Sequence, residues 1–132
     1  MRRVVVTGLG IVSSIGNNAA EVLESLKVGR SGITANEDMK EYGFRSQIAG
    51  DIKGLNLVDM IDKRTLRFMG PGAAYAYLAM EQAIADAGLD QSLVSNERTG
   101  LVAGSGGPST SSMFAAHQVV LKAGSPKRIG PP

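Results

Sequence analysis

The sequence contains no cysteine and a single histidine among its 132 residues. The lack of cysteine excludes disulfide bonds, thiolate metal ligands and a thiol nucleophile within these residues. One histidine cannot provide the paired spacing of a zinc-binding helix, so we expect no metal site. His117 falls on the apolar side of a predicted helix, which favours a structural role over a functional one.

Long apolar runs are also missing, and the charge is nearly balanced. No run approaches the roughly 20 residues that a membrane-spanning helix needs. The apolar run after the basic residues Arg2 and Arg3 ends at Thr7, too early for a secretory signal. We therefore expect a cytoplasmic protein without a membrane span. A formal net charge of +2 is too small to indicate a nucleic-acid partner.

The N-terminal stretch predicts the opening unit of an α/β fold. Residues 4–6 are consecutive valines, which is typical of a strand buried on both faces. Glycines punctuate the turn of residues 8–10, and a helix is predicted over residues 18–28. Asn18 and Glu21 have capping-box spacing at the start of that helix. Strand, turn and helix in this order are typical of an α/β protein.

A nucleotide-binding turn is a weaker interpretation of the same stretch. Such a turn uses three glycines and a helix that begins at the turn itself. This sequence has Gly8 and Gly10, places Ser13 at the third position, and begins its helix several residues later. Nucleotide binding therefore remains only an outlying alternative.

The rest of the chain predicts more helix than its strands can cover. The helix predicted over residues 71–87 is rich in alanine and apolar around most of its circumference, which indicates burial between neighbours. Two buried strands and one edge strand cannot cover this helix. We therefore expect residues 1–132 to be the front part of a larger fold and to fold poorly alone. The other predicted elements are a helix from Asp62, a helix over residues 109–122, a buried strand over 99–104 and a short exposed strand over 46–52.

Four blocks in order along the chain carry a resemblance to a known family. They extend over residues 6–18, 29–33, 80–89 and 100–107. These blocks resemble the N-terminal part of a β-ketoacyl-[acyl carrier protein] synthase, and the resemblance covers essentially the whole chain. The details that resemble the bacterial synthase I type more than synthase II lie in residues 13–18, 61–64 and 67–69.

The resemblance implies a thiolase-like fold, in which two similar α/β halves stack as αβαβα layers in a homodimer. Residues 1–132 would be an incomplete N-terminal ketoacyl-synthase domain, without the remainder of that domain and the C-terminal half. The implied reaction is a decarboxylative Claisen condensation, in which a cysteine accepts an acyl group and two histidines assist decarboxylation of a malonyl thioester. The only prosthetic group implied is the phosphopantetheine of the partner acyl carrier protein.

The sequence departs from this family in its catalytic residues. It has no cysteine, and His117 matches neither catalytic histidine of the family. No catalytic residue is therefore assigned, and residues 1–132 by themselves are expected to be inactive.

A basic cluster is the clearest candidate site. Lys63, Arg64 and Arg67 lie close together on a predicted helix, and from spacing alone a solvated helix face is the simpler interpretation. The resemblance implies instead that they dock the acidic acyl carrier protein, with Lys127 and Arg128 as a second basic patch on the same surface. These residues would then set the affinity and association rate of the carrier.

The glycine-rich turn of residues 104–107 has three interpretations. It precedes a helix and could form a phosphate-binding nest, although a tight strand-to-helix turn is the simpler explanation. The resemblance implies that Gly107 borders the acyl-chain pocket, where the missing side chain leaves room for substrate. It also places Met113 and Phe114 near a dimer interface.

These features predict an elongating 3-oxoacyl-[acyl carrier protein] synthase of fatty acid biosynthesis, acting on acyl and malonyl thioesters. A polyketide-type ketosynthase, or another condensing enzyme of the thiolase-like fold, shares the same blocks and remains an alternative. A non-catalytic module that only binds the carrier protein is the alternative from another class.

Overall fold

The computed structural model describes residues 3–130. The chain divides into two units, which are described separately below. The first comprises the chain up to Leu55 together with Ala79–Gly88, and the second comprises Asn56–Leu78 and the chain from Leu89 onward. One long helix contributes residues to both units.

The described residues are mostly helical, and their only assigned sheet has two short strands. The strands β1 and β2 are antiparallel, with Thr34 opposite Ala49 and Ala35 opposite Ile48. In chain order the elements are α1 (Ala19–Lys27), β1 (Thr34–Ala35), α2 (Glu37–Glu41), β2 (Ile48–Ala49), α3 (Leu57–Met60), α4 (Lys63–Leu66), α5 (Pro71–Asp86), α6 (Gln91–Val94), α7 (Thr110–Ala123) and a 3-10 helix (Pro126–Arg128).

The capping box predicted for α1 is present. The side chain of Asn18 accepts a hydrogen bond from the backbone N–H of Glu21 at 3.0 Å. The carboxylate of Glu21 reaches back to the backbone N–H of Asn17 at 2.8 Å, one residue earlier than the usual box. Gly29 follows the helix with a φ of +65°, a left-handed conformation that glycine adopts without strain.

In the first unit, the glycine turn packs against the second half of α5. A Cβ on Gly10 would lie 1.7 Å from the carbonyl oxygen of Ala79, and a Cβ on Gly8 would lie 2.2 Å from that of Ala83. Both positions therefore need glycine because a helix backbone occupies the space of a side chain. This packing explains the two glycines without any nucleotide.

Hydrogen bonds hold the same turn in place. Leu9 donates its backbone N–H to the carboxylate of Asp86 at 2.9 Å, and Ile11 donates its own to the side-chain oxygen of Gln82 at 3.1 Å. The amide nitrogen of Gln82 in turn donates to the backbone carbonyl of Asn17 at 2.8 Å. Side chains of α5 thus provide the partners that a neighbouring strand would otherwise provide.

The two buried strands predicted over residues 4–6 and 99–104 are not formed. Neither segment belongs to the sheet, and Val4 and Val102 are 93% and 97% exposed. β-Branched residues favour an extended backbone, but a strand exists only where a second strand pairs with it. Among residues 3–130 neither segment has such a partner. The short strand predicted over residues 46–52 is confirmed as β2.

The helix predicted over residues 71–87 is confirmed as α5. It begins at Pro71, whose fixed φ suits the first helical position, and ends at Asp86. In the second unit Ala74 and Leu78 of α5 are buried together with Ile61. None of the described helices is both long and apolar enough to cross a bilayer.

Candidate functional site

The candidate site in the second unit begins with α4, a helix of four residues. Asp62 caps it: one carboxylate oxygen accepts hydrogen bonds from the backbone N–H and from the hydroxyl of Thr65, both at 2.9 Å. The backbone hydrogen bond from Thr65, then its hydroxyl, then the backbone N–H of Arg64 hold the pKa of Asp62 below its usual value. A carboxylate that accepts several hydrogen bonds is stabilised in its charged form.

The three cations predicted to dock a partner are brought together on α4 and its end. Lys63, Arg64 and Arg67 line a pocket of about 340 Å³ with Phe68. The guanidinium carbon of Arg67 lies 5.8 Å from the centre of the Phe68 ring, within cation–π range. Across residues 3–130, the ion pair found is that of Lys40 with Glu37. The three cations of the pocket therefore have no carboxylate partner there.

The second predicted basic patch lies on the 3-10 helix that follows α7. Lys127 and Arg128 belong to it, and the hydroxyl of Ser125 caps it by accepting the backbone N–H of Lys127 at 3.3 Å. Neither residue lines the pocket of the first cluster. The second unit thus carries two separate basic segments.

A cavity of about 1330 Å³ lies in the second unit. Phe68, which directly follows Arg67, lines it, and so does Ile129, which directly follows Arg128. Each basic segment is therefore joined to the cavity wall by one apolar residue. Small apolar residues make up much of the wall, and hydroxyl groups lie along another part. These residues are Ala73, Ala76, Ala103, Ala115, Ala116 and Val119, and Ser105, Ser109, Thr110, Ser111 and Ser112.

Gly107 lines this cavity, as the acyl-pocket hypothesis requires. A Cβ at Gly107 would meet no other atom within 4 Å, so the space beside it is open. The hydroxyl of Ser105 donates to the carbonyl of Gly107 at 2.7 Å and accepts its backbone N–H at 3.4 Å. This internal pairing favours a self-supporting turn over a phosphate-binding nest.

Three aspects of the site differ from expectation or were not foreseen. His117, which the sequence places on the apolar side of a predicted helix, is exposed on α7, where no described residue is buried. Phe68 is 64% exposed and lines both the basic pocket and the cavity, a place that the sequence did not indicate. Apart from its position directly after Arg128, nothing in the sequence indicated that Ile129 would line the cavity. No group of three potential metal ligands occurs among residues 3–130.

Comparison with known proteins gives consistent matches. The chain matches the family described as "Beta-ketoacyl synthase, N-terminal domain" over residues 1–131. It is 53% identical over 131 residues to 3-oxoacyl-[acyl-carrier-protein] synthase 1 of Haemophilus influenzae, covering 99% of this chain and 32% of that protein. It is 56% identical over 110 residues to the Escherichia coli protein of the same name, covering 83% and 27%.

A solved structure extends the comparison to the fold. The crystal structure of a beta-ketoacyl synthase from Burkholderia phymatum matches with a TM-score of 0.76 and 31% identity, covering 96% of this chain and 31% of that chain. The predicted α/β, thiolase-like fold class is thereby confirmed, as is the resemblance to the synthase I type. The chain spans about a third of the length of the relatives that it matches. It belongs to the β-ketoacyl synthase N-terminal domain family.

Proposed function

We propose that these residues serve an elongating 3-oxoacyl-[acyl carrier protein] synthase of fatty acid biosynthesis. Two curated relatives that are more than half identical to the chain bear the name 3-oxoacyl-[acyl-carrier-protein] synthase 1. In the proposed reaction an acyl group moves from its carrier to a cysteine thiol. A malonyl thioester then loses carbon dioxide, and the resulting carbanion attacks the acyl thioester. The new carbon–carbon bond releases the thiol and leaves a 3-oxoacyl group on the carrier.

The residues of this chain would bind rather than react. The family resemblance assigns the cysteine and two histidines of the chemistry to no residue of this sequence, so residues 1–132 alone would be inactive. No cofactor beyond the carrier's phosphopantetheine is proposed. The proposed partners are an acyl carrier protein, its acyl and malonyl thioesters, and a second copy of the intact protein in a cytoplasmic homodimer.

The observation that carries this proposal is the joining of each basic segment to the cavity wall. Lys63, Arg64 and Arg67 have no carboxylate partner among residues 3–130, so their charge is available to an acidic protein. Phe68 and Ile129 then place the wall of the cavity directly after the two basic segments. A carrier bound at these cations would stand beside a cavity fit for its acyl chain.

The cavity suits an extended apolar chain. Its volume of about 1330 Å³ exceeds the roughly 300–1,000 Å³ of common small-molecule pockets. Alanines, glycines and Val119 contribute small apolar groups to a lining that also includes the larger Phe68, Met113 and Ile129. Gly107 would leave the acyl chain room that any larger residue would occupy.

Charge reversal in the intact protein tests the docking part. Lys63→Glu combined with Arg64→Glu should weaken binding of an acyl carrier protein at least about tenfold at low salt, because attraction becomes repulsion. It should also flatten the dependence of binding on salt, since exposed charges are screened. Lys40→Glu is the matched control, because Lys40 lies in the first unit and pairs with Glu37. Unchanged binding in the double variant would overturn the docking proposal.

A condensation assay tests the reaction itself. The mass of the purified protein under denaturing conditions first establishes how much chain accompanies these residues. The intact protein, given acyl and malonyl thioesters of the carrier, should release carbon dioxide and form the 3-oxoacyl thioester. Carrier binding without condensation would instead indicate a non-catalytic carrier-binding module.

A further inference from the structure

Asp62 stands directly before the basic cluster, but its carboxylate does not neutralise the cluster. Across residues 3–130 no ion pair within 4.0 Å joins Asp62 to Lys63, Arg64 or Arg67. Instead the carboxylate accepts the backbone N–H and the hydroxyl of Thr65 at 2.9 Å each. The Asp62 carboxylate thus accepts hydrogen bonds from the first turn of the helix. Among residues 3–130 it forms no ion pair with any of the three cations.

The helix that carries the cations needs such support. α4 has four residues, and a helix of a single turn is not stable in water by itself. Its first backbone N–H groups have no partner inside the helix, so an acceptor from outside must satisfy them. Asp62 meets this need at the start of α4. At the other end, the backbone N–H of Arg67 donates to the carbonyl of Lys63 at 3.2 Å.

A side-chain contact also occurs at the far end of α4. The guanidinium of Arg67 lies over the Phe68 ring at 5.8 Å, within cation–π range. α4 thus has a carboxylate cap before it and, at its end, a cation that contacts an aromatic ring. Between these two points Lys63, Arg64 and Arg67 face one pocket.

We propose that Asp62, acting through Thr65, is the positioning residue of the basic cluster. It holds α4 in the helical turn that presents the three cations together to an acidic protein partner. The inference rests on the proposed docking of an acyl carrier protein. Disordering of this turn would spread the cations and reduce the binding that they provide jointly.

A positioning role for Asp62 and simple electrostatics predict opposite effects of Asp62→Ala on carrier binding. As a negative charge beside the docking cations, Asp62 repels an acidic partner, so on charge alone Asp62→Ala should tighten binding. As a positioning residue, it should do the opposite. We expect Asp62→Ala to weaken carrier binding on the order of fivefold, the size of a lost helix cap. Thr65→Val, which removes the hydroxyl donor, should shift binding in the same direction by less.

Asp62→Asn separates capping from charge. Asparagine is as good a cap as aspartate but is uncharged, so this variant should bind the carrier as tightly as the unaltered protein or more tightly. Binding as weak as that of Asp62→Ala would overturn the proposal, because the loss would then follow the charge. Tighter or unchanged binding by Asp62→Ala would overturn it equally.

Asp90 offers a matched control in the same unit. It caps α6 as Asp62 caps α4, accepting both the backbone N–H and the hydroxyl of Ser92. Asp90→Ala should leave carrier binding unchanged, and an equal loss in both alanine variants would reduce the effect to general instability. All variants are measured in the intact protein beside Lys63→Glu with Arg64→Glu. If that reversal fails to weaken binding, the docking function itself falls. If it weakens binding and Asp62→Ala does not, only the positioning role falls.

Discussion

Gly10 lies so close to Ala79 that a Cβ on the glycine would stand 1.7 Å from the alanine's carbonyl oxygen. Gly10→Ala should therefore force the turn away from α5 and lower the free energy of unfolding by about 3 kcal/mol or more, as overpacking against backbone does. Denaturant unfolding of the intact protein measures this loss.

Gly72→Ala is the matched control. Gly72 lies in α5, and its added Cβ would meet no atom within 4 Å. Alanine there should raise the free energy of unfolding by about 0.4–1 kcal/mol. Equal effects of the two substitutions would contradict the packing role of Gly10.

Gln82 should contribute to stability through its two hydrogen bonds to the N-terminal segment. Gln82→Ala leaves the half-buried N–H of Ile11 and the carbonyl of Asn17 without these partners. The expected loss in the free energy of unfolding is about 1–3 kcal/mol. The neighbouring Glu81 is exposed, so Glu81→Ala should change it by less than about 0.5 kcal/mol. A similar effect at both positions would show that the bridging bonds contribute little.

Acid should weaken the second unit through its two capping carboxylates. The backbone N–H and hydroxyl of Thr65 lower the pKa of Asp62, and the hydroxyl and backbone N–H of Ser92 lower that of Asp90. Because the folded-state pKa is the lower one, each contribution is complete above the unfolded pKa of about 4 and is lost as the pH falls through the folded pKa.

Denaturant unfolding between pH 7 and pH 2 checks this dependence. The contribution of the two caps should be constant above about pH 5 and decline below about pH 4. A variant with both Asp62→Asn and Asp90→Asn keeps cap acceptors that do not titrate, so its stability should fall less steeply with acid. If the free energy of unfolding falls equally steeply with acid in both proteins, these two carboxylates are not the cause of the acid dependence.

Gly107 should set how long an acyl chain the cavity accepts. Its added side chain would have open space on the cavity wall, so Gly107→Met should fold normally and fill part of the cavity. The intact protein should then lose activity on long acyl thioesters and keep it on short ones. Gly100→Met, at a position that also has open space but does not line the cavity, should leave the preference unchanged. An unaltered preference in Gly107→Met would remove Gly107 from the acyl pocket.

Structural features that depend on residues close together in the chain could be predicted from the sequence. The capping box of Asn18 and Glu21, the N-cap at Asp62 and the start of α5 at Pro71 each depend on neighbouring residues. The family could be recognised because its blocks occur in order. The basic cluster of α4 was also visible, since its residues are close in the chain.

Structural features that depend on residues far apart in the chain could not be predicted from the sequence in this way. The sequence shows glycines at positions 8 and 10, but their cause is a helix backbone about 70 positions further along. The valines of residues 4–6 indicate a strand, but only a partner can make one, and propensity does not show whether it is present. Phe68 is visible beside Arg67, yet its place on the cavity wall follows from the path of α7 and of the segment before it.

The exposed segments around residues 4–6 and 101–102 also affect how the chain behaves in solution. Both are apolar, β-prone and free of proline and charge, the properties of segments that add to one another edge to edge. At high concentration, these segments of separate copies of residues 1–132 can pair with each other as strands. We therefore expect the isolated chain to form insoluble, β-rich aggregates, with a yield that falls as the expression level rises.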